Sequence, residues 1–319
     1  MQIGTLLMLG ILALLGAAYR YYWYSASPPE PPLSASIRRK AVSVGDRERT
    51  FLIYAPARLP SGSPLVIVLH GSGMDGSRMR VCTGYRFDRL ADQLGFVVLY
   101  PDGYRRNWND CRKRATFPAK LQNIDDMSFI RALIARVLAE HSIDKRQVHA
   151  FGYSNGGHMA FRLATEAPHE IASIVAVAAS LPTRDASSCP QEGRTSRVML
   201  INGTADPINP YDGENVTLFG LGSRGSVISS MASAQHFVTR NGVGRQPISA
   251  VVPCGTTKQL TSVQTLTWKA NGKPFCCLIT VRGGGHVIPQ SAYRFPRLLG
   301  PTTREMDAPA EAVRFFEIG

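Results

Sequence analysis

Hydrophobic residues follow two different spacings in alternate segments along most of the chain, and these spacings predict its secondary structure. Short apolar runs are typical of strands, and apolar residues at every third or fourth position are typical of helices. The strand-like segments are 50–56, 64–73, 96–103, 147–153, 171–180, 197–203 and 277–286, and the helical segments are 87–95, 125–144, 155–168, 226–242 and 307–318. Strand and helix alternate without internal repeats. This order predicts an α/β fold, one domain over 37–319, with a mostly parallel central sheet and helices on both faces.

The first 24 residues have a different pattern from the rest of the chain. Residues 3–18 are almost entirely apolar and are followed by Arg20 and an aromatic cluster at 21–24. This length suits either a long signal-peptide core or a short membrane anchor. Both interpretations stay open, because small residues at 16–18 offer a cleavage site while the aromatics suit a membrane interface. Either one predicts export of the body of the protein, and the Pro/Ser-rich stretch 25–36 is typical of a linker.

Composition narrows the function classes. The chain has 319 residues, of which 44% are hydrophobic, and this apolar content excludes a disordered protein. Its formal net charge of +13 could indicate a nucleic-acid partner. Lys and Arg are scattered, however, and the sequence contains no zinc-finger or RNP-like motif. We therefore expect a basic solvent-exposed surface and no nucleic-acid partner.

Six cysteines, at positions 82, 111, 189, 254, 276 and 277, fit an exported protein with disulfides. The sequence does not fix which of the 15 pairings of six cysteines forms. Cys276 and Cys277 are adjacent on a predicted strand and should point to opposite faces of the sheet. No cysteine spacing resembles a zinc site, and we expect neither a metal nor another cofactor.

The clearest candidate chemistry lies at Ser154, in the stretch GYSNG where strand 147–153 meets helix 155–168. A sharp turn from strand to helix exposes the residue at its tip and brings the two backbones together on either side. Side chains at Gly152 and Gly156 would collide there, which explains both glycines. This arrangement is a nucleophile elbow. It places the Ser154 hydroxyl at a helix N-terminus, where developing negative charge is favoured.

A serine nucleophile needs a base and a third group that orients the base. In this architecture the acid follows a later strand and the histidine comes last. Asp206 follows strand 197–203 and His286 follows the final strand, and we assign them these roles. The rival acids are Asp102 and Asp212. Of the other histidines, His158 lies one helical turn after the serine and is expected to pack beneath the elbow.

The tetrahedral intermediate needs two N–H donors for its oxyanion. The amide of Asn155, directly after the nucleophile, is one candidate. The second comes from the glycine-rich loop His70-Gly71-Ser72-Gly73 after strand 64–69, where we assign the amide of Ser72.

Several stretches together resemble the esterase family that contains secreted polyhydroxybutyrate depolymerases and feruloyl esterases. They lie within residues 45–317 and read LHGSG, YPDGYRRNWNDC, IDDMSFI, GYSNGGHMA, INGTADPINPYDG, GGGH and LLGPTTREMDAPAEAVRFF. The resemblance implies an α/β-hydrolase fold, extracellular ester hydrolysis and a triad of Ser154, Asp206 and His286. Asp125 and Asp126 belong to one of these stretches, and we interpret them as a helix cap.

The chain departs from the family after the histidine, where the family usually has a Trp that could line the acyl pocket. This sequence has Val287 and Ile288 there. Trp108 is the candidate aromatic wall, with Tyr153 as a second substrate-binding residue, although a structural role for Trp108 is an equal alternative. We therefore expect short aliphatic acyl groups to be preferred over feruloyl groups.

These observations favour an exported serine esterase that acts through an acyl-serine intermediate. Its substrates would be short aliphatic or polyhydroxyalkanoate-type esters, with feruloyl and acetyl polysaccharide esters as further candidates. Two alternatives stay open. One is an acyltransferase that uses the same triad with a sugar or lipid alcohol, and the other is a non-catalytic binding protein on the same fold. The N-terminal segment, if retained, would associate the protein with a membrane.

Overall fold

A large mixed sheet forms the centre of the protein in the computed structural model, which describes residues 2–244, 246–252 and 260–319. The strands are β1 Arg38–Val44, β2 Arg47–Tyr54, β3 Ser63–Leu69, β4 Val97–Pro101, β5 Ile143–Tyr153, β6 Ser173–Val177, β7 Arg197–Gly203, β8 Gly213–Leu218, β9 Leu221–Ile228, β10 Ile248–Val252, β11 Ser262–Ala270 and β12 Lys273–Arg282. Over these residues the main sheet has ten strands in the order β1-β2-β4-β3-β5-β6-β7-β12-β11-β10, and β8 pairs only with β9.

The middle of the sheet is parallel. Strands β4, β3, β5, β6, β7 and β12 run in one direction, while β2 pairs antiparallel with β4 and β11 pairs antiparallel with β12. This confirms the predicted mostly parallel sheet. Because parallel strands end at the same edge, the loops after β5, β7 and β12 meet there.

Helices cover both faces of the sheet, as predicted. Among the described residues the helices are α1 Gln2–Tyr22, α2 Gly76–Cys82, α3 Arg86–Leu94, α4 Pro118–Leu121, α5 Asp126–Glu140, α6 Asn155–Glu166, α7 Ser230–Arg240 and α8 Ala308–Phe316, of which α5, α6 and α7 pack on one face and α2, α3 and α8 on the other. Along β3 the side chains of Leu65, Ile67 and Leu69 join a core with α5, α6 and α7. The alternate residues Val66 and Val68 join a second core with α2, α3 and α8. The continuous apolar run of β3 is thus explained, since both of its faces are covered.

The helix boundaries follow capping residues. Helix α5 begins after Asp125, whose carboxylate accepts a hydrogen bond from the Ser128 amide at 2.9 Å, so Asp125 is the predicted helix cap. Asp126 is not a cap. Its carboxylate is fully buried and lies 2.8 Å from the Arg49 guanidinium on β2. The prediction for Asp126 was wrong. Its partner Arg49 lies 77 residues away in sequence, so the local pattern does not reveal the ion pair.

Several elements were not predicted from the hydrophobic pattern. Strands β1, β10 and β11 lie towards the ends of the sheet, and β8 and β9 form a separate hairpin. The predicted helix over 226–242 begins only at Ser230, because residues up to Ile228 belong to β9. The Ser229 hydroxyl caps the helix by accepting from the Ala232 amide at 3.1 Å.

The N-terminal segment contacts the domain at several points. Helix α1 ends at Tyr22, whose neighbour Tyr21 lies under the Arg297 guanidinium, 3.9 Å from the ring centre. Residues 25–36 form no helix or strand. Glu30 nevertheless pairs with the buried Arg80 at 2.5 Å, which fastens the segment to the domain. Within the described residues no helix is both long enough and apolar enough to cross a membrane.

One disulfide joins Cys111 to Cys189, 78 residues apart in sequence. Among the described residues Cys82, Cys276 and Cys277 are free and buried, and Cys254 lies outside them. Cys276 packs in the core with α5, α6 and α7, and Cys277 packs in the opposite core. The predicted separation of this adjacent pair onto two faces is confirmed.

Candidate active site

Ser154 lies at the sharp turn between β5 and α6. Its backbone has φ = +54° and ψ = −118°, a conformation that is strained for a residue with a side chain. The flanking glycines are required by close backbone approach. A Cβ at Gly152 would lie 2.1 Å from the Gly156 carbonyl oxygen, and one at Gly156 would lie 2.3 Å from the carbonyl oxygen of Leu69. The turn therefore has the geometry of a nucleophile elbow, with Ser154 at its tip.

The structure brings Ser154, His286 and Asp206 together from the loops after three different strands. The Ser154 Oγ lies 2.8 Å from the His286 Nε2, and the His286 Nδ1 lies 2.7 Å from the Asp206 Oδ2. The side chains of His286 and Asp206 are almost completely buried, with 5% and 1% exposed. An ionised Asp206 can only accept hydrogen bonds. The imidazole proton therefore resides on Nδ1, which leaves the Nε2 lone pair facing the serine hydroxyl.

Asp206 is held in place by its own loop. Its Oδ1 accepts hydrogen bonds from the amides of Ile208 and Asn209, both at 2.8 Å. The rival acids lie elsewhere. The Asp102 carboxylate accepts from the Gly76 amide at 2.8 Å and contacts residues of β1 and β2, and Asp212 is exposed. Of the three candidate acids, Asp206 is the one that contacts His286.

His286 is fixed through its backbone as well as its ring. Its amide donates to the Leu299 carbonyl at 2.6 Å, and its carbonyl accepts from the Tyr153 hydroxyl at 2.8 Å. Burial raises the pKa of Tyr153 well above its usual value, so this phenol stays a donor. Tyr153 was predicted to bind substrate. The structure shows it as a support beneath His286 whose ring also reaches the cavity described below.

The loop after β3 is organised by His70. The His70 Nδ1 donates to the Gly71 carbonyl at 2.8 Å, and the Nε2 accepts from the Gly103 amide at 2.8 Å. Burial lowers the pKa of His70 to about 4, so the ring is neutral and makes both bonds at once. Because a trans peptide holds its N–H opposite its C=O, the Ser72 amide points away from His70. Ser72 lines the same cavity as Ser154, and its amide stays a predicted oxyanion donor.

Asn155 is the first residue of α6, and the first amides of a helix have no partner within the helix. Its side chain is tied to the segment that contains Trp108. Asn155 Oδ1 accepts from the Trp108 amide at 2.8 Å, and Asn155 Nδ2 donates to Asp110 at 2.7 Å. These bonds fix the start of α6 behind the serine.

Trp108 does not form an aromatic wall for the substrate. Its side chain is fully buried in the core, and its indole N–H donates to the His70 carbonyl at 2.9 Å. The structural role that the sequence left open is the one observed. Trp108 holds the loops of Ser72 and Asn155 together from beneath.

A buried charged group lies behind the elbow. Asp110 accepts from the Arg112 guanidinium at 2.5 Å, and both side chains are almost fully buried. Burial raises the pKa of Asp110, but the Arg112 charge and its hydrogen bonds outweigh this and hold that pKa below its usual value. His158 lies beside them, buried as predicted, and burial keeps its pKa well below its usual value. This histidine is therefore neutral.

A cavity of about 270 Å³, which we call the outer cavity, opens in front of Ser154 and His286. Its apolar walls include Met74, Ile208, Leu218, Phe219, Leu298 and Leu299. A second space of about 10 Å³, the inner recess, lies behind Ser154 between Ser72, Asn155 and the Arg112 guanidinium. A space of this size holds about one water molecule. Val287 and Ile288 line neither space and are buried in the core.

Sequence reasoning missed three parts of this site. These are the two hydrogen bonds of His70, the Asp110–Arg112 pair behind Asn155, and the tip of the β8–β9 hairpin over the outer cavity. The patterns near them were the glycine-rich loop beside His70 and the stretch YPDGYRRNWNDC, which contains Asp110 but does not reveal its pairing with Arg112. Among the described residues no group of three or more His, Cys, Asp or Glu side chains could hold a metal ion.

The fold and the site define a carboxylic ester hydrolase with the α/β-hydrolase fold. Of the solved structures, the acetyl xylan esterase from Aspergillus awamori is similar over 88% of this chain and all of its own, with a TM-score of 0.59 and 16% identity. At that identity the likeness shows the fold, and it confirms the prediction.

The chain belongs to the esterase PHB depolymerase family, whose sequence profile matches residues 50–238. NocK of Nocardia uniformis subsp. tsuyamanensis, which carries an esterase name, is 30% identical over 305 residues, covering 90% of this chain and 84% of its own. Feruloyl esterase B of Thermothelomyces thermophilus is 31% identical over 117 residues, which is 36% of this chain and 39% of that protein. The family resemblance deduced from the sequence motifs is confirmed.

Proposed function

We propose that this protein is an exported serine esterase that hydrolyses carboxylic esters through an acyl-serine intermediate. Ser154 is the nucleophile, His286 the general base and Asp206 the group that orients it. The amides of Ser72 and Asn155 bind the oxyanion. The observation that carries the proposal is the chain of two hydrogen bonds, 2.8 Å and 2.7 Å, from the serine hydroxyl through the imidazole to the carboxylate.

In the acylation step the Ser154 oxygen attacks the ester carbonyl while its proton passes to His286 Nε2. The carbonyl electron pair moves onto the oxygen, which the two amides stabilise. When the intermediate collapses, the C–O bond to the alcohol breaks and His286 returns the proton to the leaving oxygen. Water then repeats the sequence on the acyl-serine and releases the acid. Asp206 stays ionised throughout and stabilises the imidazolium.

The outer cavity supports a preference for short aliphatic acyl groups. Aliphatic side chains and Met74 make up most of its apolar wall, and Trp108, the aromatic residue predicted to line it, is buried in the core. The aromatic residues of its lining are Phe219 on the hairpin side, Tyr153 on the elbow side and Trp23 of the N-terminal segment. We expect acetyl, butyryl and 3-hydroxybutyryl esters to be preferred over feruloyl esters by up to about tenfold, since one aromatic contact contributes about 0.5–1.5 kcal/mol.

Two measurements on the purified protein test this function. Ser154→Ala should lower kcat for p-nitrophenyl butyrate by roughly 10⁴- to 10⁶-fold, whereas Ser61→Ala on an exposed loop should have no effect. An organophosphate should label the wild type at Ser154 and leave the Ser154→Ala variant unlabelled. Hydrolysis that persists in pure Ser154→Ala protein would exclude the mechanism. A feruloyl preference of roughly tenfold or more would exclude only the substrate assignment.

Export is supported by the Cys111–Cys189 disulfide and by the apolar N-terminal segment. Intact mass under non-reducing conditions, measured on protein from its native compartment, should show the oxidised pair and reveal whether the segment is removed. Protein recovered with all its thiols free would contradict export.

A further inference from the structure

Arg224 occupies an unusual place in the candidate site. It lies on β9, beyond the hairpin tip formed by Leu218 and Phe219, and its side chain is partly buried. It lines both the outer cavity in front of Ser154 and the inner recess behind it. Among the described residues around the outer cavity, Arg224 is the only one with a permanent charge, and none is acidic.

The guanidinium of Arg224 is positioned by packing rather than by an ion pair. It lies over the Phe117 ring, 5.2 Å from the ring centre, and Arg112 lies over the same ring at 5.3 Å. Arg112 has a carboxylate partner in Asp110, but within the described parts of the chain Arg224 has neither an ion pair nor a side-chain hydrogen bond. Its donors are therefore free to bind a group in the cavity.

The surroundings of Arg224 favour an anion. Burial lowers the pKa of Arg224, and the neighbouring Arg112 charge lowers it further, although an arginine side chain stays protonated in proteins. A partly desolvated cation without a counter-charge is unfavourable until an anion arrives. A guanidinium binds carboxylates with two parallel hydrogen bonds, which also fixes the orientation of the bound group.

We propose that Arg224 binds a carboxylate carried by the ester substrate, so that the enzyme prefers esters with a free carboxylate a few bonds from the scissile carbonyl. The chemical class comprises half-esters of short dicarboxylic acids and short oligoesters that end in a free acid. This inference rests on the proposed ester hydrolysis at Ser154. It adds to that function a residue that discriminates between anionic and neutral esters of equal length.

Matched ester pairs test the proposal at neutral pH. Monomethyl succinate is compared with methyl butyrate, and monomethyl glutarate with methyl valerate, by kcat/KM in the wild type, Arg224→Gln and Arg224→Lys. The Gln variant should reduce the ratio of anionic to neutral kcat/KM by about ten- to a hundredfold, the range for a charged hydrogen-bonded partner. The ratio for Arg224→Lys should lie between those of the wild type and Arg224→Gln. Arg58→Gln, at an exposed site in the loop after β2, is the matched control and should keep the wild-type ratio.

The possible outcomes separate this proposal from the function it rests on. An equal loss for both members of each pair would assign Arg224 to structure or to the oxyanion and overturn the proposal. An unchanged ratio in Arg224→Gln would overturn it too. If the wild type cleaves none of the four esters, the proposed esterase function fails first. Calorimetric binding of monomethyl succinate to Ser154→Ala, with and without Arg224→Gln, measures the contact without turnover. Equal affinities would overturn the proposal.

Discussion

Replacement of Asp206 by Asn tests how the carboxylate sets the proton position on the imidazole. The substitution keeps the shape of the side chain but gives it one oxygen and one NH₂ group in place of two oxygens. In the structure one Asp206 oxygen accepts two backbone amides at 2.8 Å, and the other accepts the His286 Nδ1 proton at 2.7 Å. An asparagine can satisfy only one of these two sides.

The magnitude follows from the two orientations of the amide. If the asparagine oxygen accepts from the backbone amides, its NH₂ group faces His286 Nδ1. The ring proton then moves to Nε2, and His286 can no longer accept the serine proton. With its oxygen on the imidazole, two backbone donors lose their acceptor, at about 1–3 kcal/mol each. The blocked form is therefore favoured by roughly 30-fold to 10⁴-fold. Since the charge beside the imidazolium is also lost, we expect kcat to fall by about 10⁴-fold, the loss seen for this change in serine proteases.

The assay is the initial rate on p-nitrophenyl butyrate, with folding checked by circular dichroism and thermal unfolding. Asp212→Asn, on the exposed loop, is the matched control, and Asp102→Asn tests the second rival acid. Both should keep kcat within roughly threefold, which is less than about 1 kcal/mol in the activation barrier. A folded Asp206→Asn protein with more than about a tenth of wild-type kcat would refute the tautomer argument. A large loss of kcat in an Asp102→Asn protein of wild-type stability would assign the role of the acid to Asp102 instead.

Three further outcomes are expected. Reduction of Cys111–Cys189, or its replacement by two alanines, should lower the unfolding free energy by up to about 4 kcal/mol, because the bridge closes a long loop of 78 residues; a change below about 1 kcal/mol in urea titrations would contradict this. Burial raises the pKa of Asp88 to about 6, so its proton stabilises the fold below pH 4 and this contribution is lost as pH rises past 6. The wild type should lose stability relative to Asp88→Asn as pH rises from 4 to 7.5, and a stability difference that stays constant over this range would refute it. Gly152→Ala should abolish activity or folding, since its Cβ would lie 2.1 Å from the Gly156 carbonyl oxygen, and normal activity would contradict the elbow geometry.

The sequence predicts those parts of the fold whose residue pattern is determined within a single chain segment. Strands β3 and β5 are covered on both faces, so they appear as continuous apolar runs, and the glycines around Ser154 respond to contacts within one turn. Strands β10 and β11 are near the sheet edge and more exposed, so their pattern is weaker. A hairpin such as β8–β9, with polar residues on one side, is similarly hard to find.

The parts that could not be predicted depend on partners distant in sequence. Arg49 and Asp126 pair across 77 residues, and the Trp108 indole reaches His70 across 38 residues. A tryptophan that walls a pocket and one that fills a core have the same local sequence requirements, so Trp108 was open to both interpretations. The order Ser154, Asp206, His286 was predictable because each residue follows a recognisable parallel strand. Parallel strands end at the same edge of the sheet, which brings the three residues together.

The distribution of the site along the chain has a consequence for how such an enzyme can evolve. In the proposed function, residues up to Asn155 supply the nucleophile and both oxyanion amides, while those from Asp206 onward supply the acid, the base and the hairpin over the outer cavity. The hairpin belongs to a sheet of its own, so changes in its length or sequence leave the pairing of the central strands intact. A lineage can therefore acquire new ester preferences through changes in one surface hairpin, while Ser154, Asp206 and His286 are inherited unchanged.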